Sequence, residues 1–190
     1  MADKTLIPTL PDIFPQTLWH MRSNHIILVN EQDEALATME KLEAHQKGLL
    51  HRAFSVFIVN SKNEMLLQQR ASGKYHSGGL WTNACCSHPM PGEEVEQAAH
   101  RRLQEEMGFD CPVKKLFTFT YQASFDNGLT EHEYDHVFLG TFDGAVIPDT
   151  AEVEAYAFYS LTEIAQQIRD TPERFTYWFK VAFPMVTELL

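Results

Sequence analysis

The stretch TNACCSHPMPGEEVEQAAHRRLQEEMG, residues 82–108, joins an extended segment carrying Cys86 and His88 to a helix pattern rich in glutamate. Side chains two positions apart in an extended segment point to the same face. We therefore expect Cys86 and His88 to reach into one cavity, where a reactive thiol would lie beside a metal ligand.

The second half of this stretch predicts a helix over residues 93–107. Gly108 follows at the position where a left-handed C-terminal cap belongs. Five apolar residues fall on one helix face at helical spacing: Val95, Ala98, Ala99, Leu103 and Met107.

The end of this helix carries the sequence RRLQEE, residues 101–106. Carboxylates in a last turn oppose the helix dipole, at a typical cost of ~0.3–1 kcal/mol each when exposed. In one interpretation, the i,i+4 pairs Arg101–Glu105 and Arg102–Glu106 offset this cost and do nothing more. In the other, Glu105 or Glu106 holds a cation such as Mg²⁺. The pattern alone leaves the two interpretations open.

The remaining sequence alternates strand patterns with turns. Asp126-Asn127-Gly128 is a strong hairpin signal between two long strands, and Ser160 with Glu163 forms a capping-box pattern. The mixed order predicts an α+β fold, with an irregular arm over residues 1–24 and one domain over residues 25–190. Strands are predicted at 25–30, 36–41, 53–59, 65–70, 113–125, 129–142 and 154–161, and further helices at 161–169 and 175–190.

Composition narrows the classes of function. The net charge of −11 over 190 residues argues against a nucleic-acid partner, although a local basic cluster would still bind a small phosphorylated ligand. Three cysteines, two of them adjacent, suit a reducing compartment better than a disulfide framework. No signal-peptide pattern and no long apolar run is present, so we expect a cytoplasmic protein with no membrane association, most simply a monomer.

Five potential metal ligands are dispersed along the chain: His45, His51, His88, Glu131 and Glu133. The two glutamates stand two apart in a strand pattern, so their carboxylates face the same side. Taken singly, each of the five is more often an ordinary surface or core residue. Taken together, imidazoles and carboxylates suit Mn²⁺, Mg²⁺, Zn²⁺ or Fe²⁺, and ligand type does not choose between these ions.

Basic and aromatic residues give further candidates. Each basic residue taken alone is best interpreted as surface solvation, but together they would converge on a diphosphate if the fold gathers them. They are Lys41, Arg70, Lys74 and Arg102. Trp178 and Tyr121 are core residues by default, with a second role open if the chemistry forms a cation.

These motifs, in this order, resemble the type 1 isopentenyl-diphosphate delta-isomerases, a family with a Nudix fold. The resemblance runs from about residue 25 to the C-terminal helix and implies a mixed β-sheet core flanked by helices. It rests on TNACCSHP at 82–89 and EHE at 131–133, with His45, His51, Arg70, Lys74 and Trp81 in agreement.

The chain departs from the Nudix box of the hydrolases, G-x5-E-x7-R-E-U-x-E-E-x-G-U, where U is a bulky aliphatic residue. Ser87 replaces the leading glycine, Arg102 replaces a glutamate and Phe109 ends the box. The loss of that glutamate removes part of the acid cluster that hydrolysis uses, which agrees with the isomerases. The positions that fit are Glu93, Arg101, Leu103, Glu105, Glu106 and Gly108.

The resemblance also implies roles for single residues. Glu106 and the backbone carbonyl of Cys86 would hold a Mg²⁺ that contacts the substrate diphosphate, and a second divalent ion, Mn²⁺ or Zn²⁺, would occupy the His/Glu site. The diphosphate would meet Lys41, Arg70, Lys74 and Arg102. The second ion would be bound by His45, His51, His88, Glu131 and Glu133.

The implied reaction is a 1,3-allylic proton shift that turns isopentenyl diphosphate into dimethylallyl diphosphate. Glu133, bound to the metal and near Tyr121, would protonate the alkene, and Cys86 would remove the C2 proton from the other face. The indole of Trp178 would stabilise the carbocation between them. Two rival functions remain open: a Nudix hydrolase of a diphosphate substrate, and a metal-stabilised binding domain without catalysis.

Overall fold

The computed structural model describes residues 24–74 and 76–190. The predicted arm, residues 1–24, therefore lies outside the described residues except for Asn24. The described elements are β1 (His25–Val29), β2 (Ala35–Glu40), α1 (Lys41–Lys47), β3 (His51–Val59), β4 (Glu64–Arg70), β5 (Trp81–Asn83), β6 (Cys85–Ser87), α2 (Val95–Met107), β7 (Val113–Ser124), β8 (Thr130–Thr141), β9 (Val153–Ser160), α3 (Leu161–Asp170), a 3₁₀ turn (Pro172–Arg174) and α4 (Tyr177–Thr187).

One mixed sheet organises these elements, and β3 is its centre. β3 pairs in parallel with β8 and antiparallel with β1, β4 and β6. The hairpin partner β7 then extends the sheet beyond β8, and β9 extends it beyond β4. The expected α+β class, with a mixed β-sheet flanked by helices, is confirmed.

The sheet separates two apolar cores because alternate residues of β3 point to opposite faces. Phe54, Val56 and Ile58 pack against the apolar face of α2. Phe57 and Val59 belong to a second core with residues of α3 and α4. Helices therefore cover both faces of the sheet, and the functional side chains are carried by its strands and by the helix ends that border them.

The end of α2 is fixed by a glycine. Gly108 has φ +75° and caps the helix, as predicted, and a Cβ at this position would lie 2.1 Å from the carbonyl oxygen of Ile147. The segment between β8 and β9 also donates two backbone hydrogen bonds to the end of α2. The N–H of Ile147 donates to the carbonyl of Met107, and the N–H of Asp149 donates to the carbonyl of Glu106. The last turn of α2, which carries Glu106, is thereby held at one place against the sheet.

The turn predictions are confirmed, and the predicted strands differ from the observed ones by one or two residues at their ends. Gly128 has φ +80° in the β7–β8 hairpin, and Ser160 forms the capping box with Glu163. Lys41, expected as the last residue of a strand, is instead the first residue of α1. The side chain of Glu40 accepts a hydrogen bond from the backbone N–H of Glu43 and so starts this short helix.

Candidate active site and metal centre

Strand register places three functional side chains in one row across the sheet. Tyr121 of β7 lies directly opposite Glu133 of β8, and Glu133 lies directly opposite His51 of β3. Tyr121 donates a hydrogen bond from its hydroxyl to Glu133 Oε2 at 2.7 Å. Because residues two apart share a face, Glu131 stands beside Glu133 on the same side of β8. The sequence prediction for this glutamate pair is confirmed.

The dispersed ligand candidates converge on one point. Each contributes one potential ligand atom, and these atoms all lie within 4.8 Å of one another. Two of the histidines are fully buried, and both glutamates are buried. The metal cluster, as we call it below, consists of His45, His51, His88, Glu131 and Glu133.

The hydrogen bonds of two histidines test whether this cluster suits a cation. His45 Nδ1 lies 2.6 Å from the carbonyl oxygen of Lys41, and His51 Nδ1 lies 2.8 Å from that of Leu49. A carbonyl only accepts, so Nδ1 donates and Nε2 keeps a lone pair. Each Nε2 faces a carboxylate oxygen, with His45 Nε2 3.2 Å from Glu131 Oε2. Two acceptors facing each other require a cation between them, so the residues fit a bound metal ion.

Burial and neighbouring groups have opposite effects on the pKa values of the carboxylates in the metal cluster. Burial raises the pKa of Glu131, but the imidazoles of His45 and His76 beside it outweigh this and hold the pKa well below its usual range. Burial, with Lys41 nearby, lowers the pKa of His88 to about 3, so His88 stays neutral, as a metal ligand must. The cluster thus combines the ionised carboxylate of Glu131 with the neutral imidazole of His88.

A cleft opens in front of the metal cluster. Its lining includes the thiol-bearing strand β6, aromatic residues and the last turn of α2. Its walls bring together every residue that the sequence analysis assigned to catalysis or to the substrate: Lys41, Arg70, Lys74, Cys86, Arg102, Glu106, Tyr121, Glu133 and Trp178. His45 and His51 lie behind these walls and are fully buried.

Charged residues at the end of α2 pair with one another. Arg102 donates to Glu106 at 2.6 Å and to Glu105 at 2.7 Å, and it lies 3.4 Å from Glu152, which also binds Lys74. Burial lowers the pKa of Arg102, but Glu106 more than offsets this and the pKa is raised. We call Lys74, Arg102, Glu106 and Glu152 the ionic cluster.

The two interpretations of the α2 glutamates can now be compared with the structure. Arg101–Glu105 and Arg102–Glu106 do form ion pairs, as the simpler interpretation requires. Glu106 is also buried and lines the cleft, whereas the Glu105 side chain is 42% exposed. Among the two, only Glu106 is therefore placed to hold a cation in the cleft.

Cys86 and His88 both line the cleft, as their spacing predicted. The thiol lies 3.8 Å from Thr82 Oγ1. Burial raises the pKa of Cys86 to about 12, while the positive charge of Arg70 and a contact with Trp178 act to lower it. At neutral pH the thiol is therefore protonated.

Two aromatic residues complete the cleft. The guanidinium of Arg70 lies 5.3 Å from the ring centroid of Trp178, so the indole already carries a cation on its face. Burial, with Glu133 nearby, raises the pKa of Tyr121 well above its usual range, so its hydroxyl keeps its proton.

Several residues that contact the site belong to no sequence motif and were not predicted. Gln68 donates hydrogen bonds to Glu106 and to the carbonyl of Ala84, and His76 lies 2.7 Å from Glu131. Glu152 joins two basic residues, as described above. In the sequence, only their positions set Gln68 and His76 apart. Gln68 is a polar residue that interrupts an apolar strand, and His76 lies in a loop rich in Gly and Ser.

Comparisons with known proteins agree with this geometry. The NUDIX domain model matches residues 49–179. The chain is 52% identical to the isopentenyl-diphosphate Delta-isomerase of Pectobacterium atrosepticum, over 88% of this chain and 94% of that protein. It is 51% identical to the isopentenyl-diphosphate Delta-isomerase 2 of Photorhabdus laumondii, over 82% and 88% respectively. The MutT protein from Methanosarcina mazei shares the fold, with a TM-score of 0.62 at 19% identity over 73% of this chain and 94% of that one.

Within residues 24–74 and 76–190, no helix has the length and apolar character needed to cross a membrane.

Proposed function

This chain belongs to the Nudix family and, within it, to the isopentenyl-diphosphate delta-isomerases, and from that premise we propose that it converts isopentenyl diphosphate into dimethylallyl diphosphate. The reaction moves a C=C bond by adding a proton at C4 and removing one from C2. One observation carries the proposal: a protonated thiol and a hydrogen-bonded Tyr–Glu pair share one cleft with four basic side chains. The relatives' names support an isomerase over a hydrolase.

Two proton-carrying groups would act on the alkene. The hydroxyl of Tyr121 is hydrogen-bonded to Glu133, and this pair would protonate C4, because an unactivated alkene needs a strong and well-positioned acid. Cys86 would take the C2 proton as a thiolate, after its own proton has passed through solvent to the Glu133 carboxylate, and Arg70 with Trp178 are the groups that favour this thiolate. In the reverse order, the Cys86 thiol would donate its proton to C4 and the Glu133 carboxylate would accept the proton from C2. The number of protons is conserved in this order as well.

Protonation of the alkene creates a tertiary carbocation, which the cleft has to stabilise and keep from water. The indole of Trp178 already accommodates the guanidinium of Arg70 at 5.3 Å, so its ring is placed to stabilise positive charge. Burial of Trp178, which is 4% exposed, also limits the access of water.

The diphosphate would serve as the handle that positions the alkene. Lys41, Arg70, Lys74 and Arg102 line the cleft and would contact it. Glu106 and the carbonyl of Cys86 would hold a Mg²⁺ that enters with the diphosphate, since Mg²⁺ is commonly bound by one carboxylate together with substrate phosphates.

The metal cluster would hold the second divalent ion, which we propose to be Mn²⁺ or Zn²⁺. When bound, such an ion supplies positive charge that stabilises the neighbouring carboxylates and makes Glu133 a stronger acid. The protein's part is to hold the five ligand atoms within 4.8 Å of one another on rigid strands and helix α1.

The direct test is proton NMR of isopentenyl diphosphate incubated with the protein and Mg²⁺ in D₂O. Dimethylallyl signals with deuterium at the allylic positions are expected. If metal-replete protein gives no dimethylallyl signals, the proposed isomerase activity is refuted. Release of phosphate from nucleoside diphosphate derivatives would then identify a hydrolase.

Substitution of the proton-carrying residues tests the mechanism. Cys86→Ala and Glu133→Gln are each expected to abolish net turnover with the fold retained, and Cys111→Ala, a buried cysteine outside the cleft, is the matched control. Deuterium at C4 of recovered substrate with Cys86→Ala supports Glu133 and Tyr121 as the donor. The same exchange with Glu133→Gln instead supports Cys86 as the donor. Substantial turnover in either variant would refute the scheme.

We further propose that residues 25–190 form a single catalytic domain acting as a monomer in the cytoplasm on this small-molecule substrate. One sheet shared by both apolar cores supports the single domain. Light scattering on the purified protein tests the monomer.

A further inference from the structure

His76 connects the loop between β4 and β5 to the metal cluster. It is 7% exposed, and its Nε2 atom lies 2.7 Å from Glu131 Oε1, a distance at which the ring N–H donates a hydrogen bond to the carboxylate. A buried imidazole in contact with a ligand carboxylate is not needed for any of the proton transfers described above.

The two oxygens of Glu131 have different partners. Oε1 faces His76, whereas Oε2 lies 3.2 Å from His45 Nε2 and 3.9 Å from His51 Nε2. A carboxylate whose one oxygen is engaged by a donor presents the other oxygen alone to a cation. His76 therefore fixes which oxygen of Glu131 points into the metal cluster.

The imidazole of His76 is itself held in place on both sides. It stacks on Phe125, with ring centroids 5.1 Å apart and an angle of 14° between the planes, and it meets Trp178 edge to face at 6.1 Å. Its Nδ1 atom lies 3.3 Å from Ser77 Oγ. The ring cannot turn away from Glu131 without losing these contacts.

We propose that His76 is a positioning residue of the metal centre, which holds Glu131 so that a single oxygen faces the buried imidazoles. This inference rests on the proposed function of the metal cluster. It also connects the metal cluster to the ionic cluster, because Lys74, two residues earlier in the same loop, binds Glu152. An ion bound in the metal cluster would thereby stabilise the position of Lys74, a proposed diphosphate contact.

Three substitutions separate the hydrogen bond from the packing. His76→Gln places an amide N–H near the position of Nε2 and keeps the hydrogen bond, whereas His76→Phe keeps the stacking on Phe125 and loses the hydrogen bond. His76→Ala loses both. His100→Ala removes an exposed histidine paired with Asp110 and serves as the neutral control.

The experiment measures metal binding directly. Each protein is loaded with Zn²⁺ or Mn²⁺ and mixed with a chromogenic chelator, and the fraction of metal that the protein retains at equilibrium is measured. Loss of a group that orients a metal ligand typically weakens metal binding about 10–100-fold. We expect that loss for His76→Ala and His76→Phe, with His76→Gln within about threefold of wild type. Circular dichroism verifies that each variant is folded.

Retention of metal by His76→Phe together with loss from His76→Gln would overturn the inference and assign His76 to packing alone. Wild-type retention in all three variants would overturn it as well. His51→Ala serves as the reference for the centre: if that variant also keeps its metal, the proposed metal cluster fails, not only the role of His76.

Discussion

The metal cluster and the ionic cluster border the same cleft but satisfy their charges in different ways. In the metal cluster, the Nε2 atoms of His45 and His51 face carboxylate oxygens, an arrangement that fits a metal ion between them. In the ionic cluster, Arg102 is already neutralised by Glu105 and Glu106. The first fits a resident ion, and the second would have to exchange partners if it bound a diphosphate.

Exposure follows the same division. The side chains of His45 and His51 are fully buried, whereas those of Arg102, Lys74 and Glu152 are 20%, 23% and 25% exposed. Breaking a buried set of polar groups costs far more than breaking a partly solvated ion pair. The difference predicts that changes in the metal cluster abolish function and that changes in the ionic cluster adjust it.

The largest effect is expected from His51→Ala, which removes one imidazole from the metal cluster. We expect loss of the bound ion and a fall in turnover of at least about 10³-fold, since a metal supplies several kcal/mol of charge stabilisation. Atomic emission gives the metal content, and the NMR assay gives the rate. His100→Ala is the control, and full metal occupancy in His51→Ala would show that the ion is bound elsewhere.

Removal of the ion should also destabilise the fold. An ion present at 100 times its dissociation constant contributes about 2.7 kcal/mol to the free energy of unfolding. Urea unfolding with and without a chelator measures this difference. The chelator should have no effect on His51→Ala, and an equal effect on both proteins would place the stabilising ion outside the metal cluster.

A smaller effect is expected from Glu106→Gln in the ionic cluster. The amide keeps the shape and one acceptor for Arg102 but loses the charge proposed to hold Mg²⁺, so kcat/KM should fall about 10–100-fold. Metal content should stay at the wild-type level. Glu105→Gln, at the exposed neighbour on the same turn, is the matched control, and equal losses in both variants would remove the special role of Glu106.

The smallest effect is expected from Glu152→Gln. Its carboxylate binds Lys74 and lies 3.4 Å from Arg102, so it competes with a phosphate for both cations. Neutralising it should tighten the binding of inorganic diphosphate without Mg²⁺ about three- to tenfold at low salt, and less at high salt. Isothermal calorimetry measures the change. Weaker binding would show that Glu152 positions the cations instead of competing for them.

The fold could be predicted from sequence wherever a period repeats over enough residues. Helix α2 was predicted from its helical spacing and from Gly108 at its end. The β7–β8 hairpin was predicted from the turn residues that end at Gly128. Helix α1 was missed because seven residues show too little period, and Lys41 was therefore placed in a strand. Its start depends on a single side-chain cap from Glu40, which the strand pattern conceals.

The candidate site was predictable where a motif carried the chemistry. Cys86 and His88, and Glu131 and Glu133, were found because spacing of two residues places side chains on one face. His76 and Glu152 were missed because their roles depend on partners far along the chain, as in the contact of His76 with Glu131. No local pattern in a loop reports such a partner.

The parallel pairing of β3 with β8 affects how the chain folds while the ribosome is still synthesising it. Ser55 and Asp135, which are hydrogen-bonded to each other, stand 80 residues apart in the chain. At about 5–20 residues per second, the ribosome leaves one edge of β3 without its partner for roughly 4–16 s. During that interval the segment HRAFSVFIV exposes unpaired backbone groups on an apolar strand, a combination that promotes association between nascent chains. The yield of soluble protein should therefore depend on the speed of translation between β3 and β8.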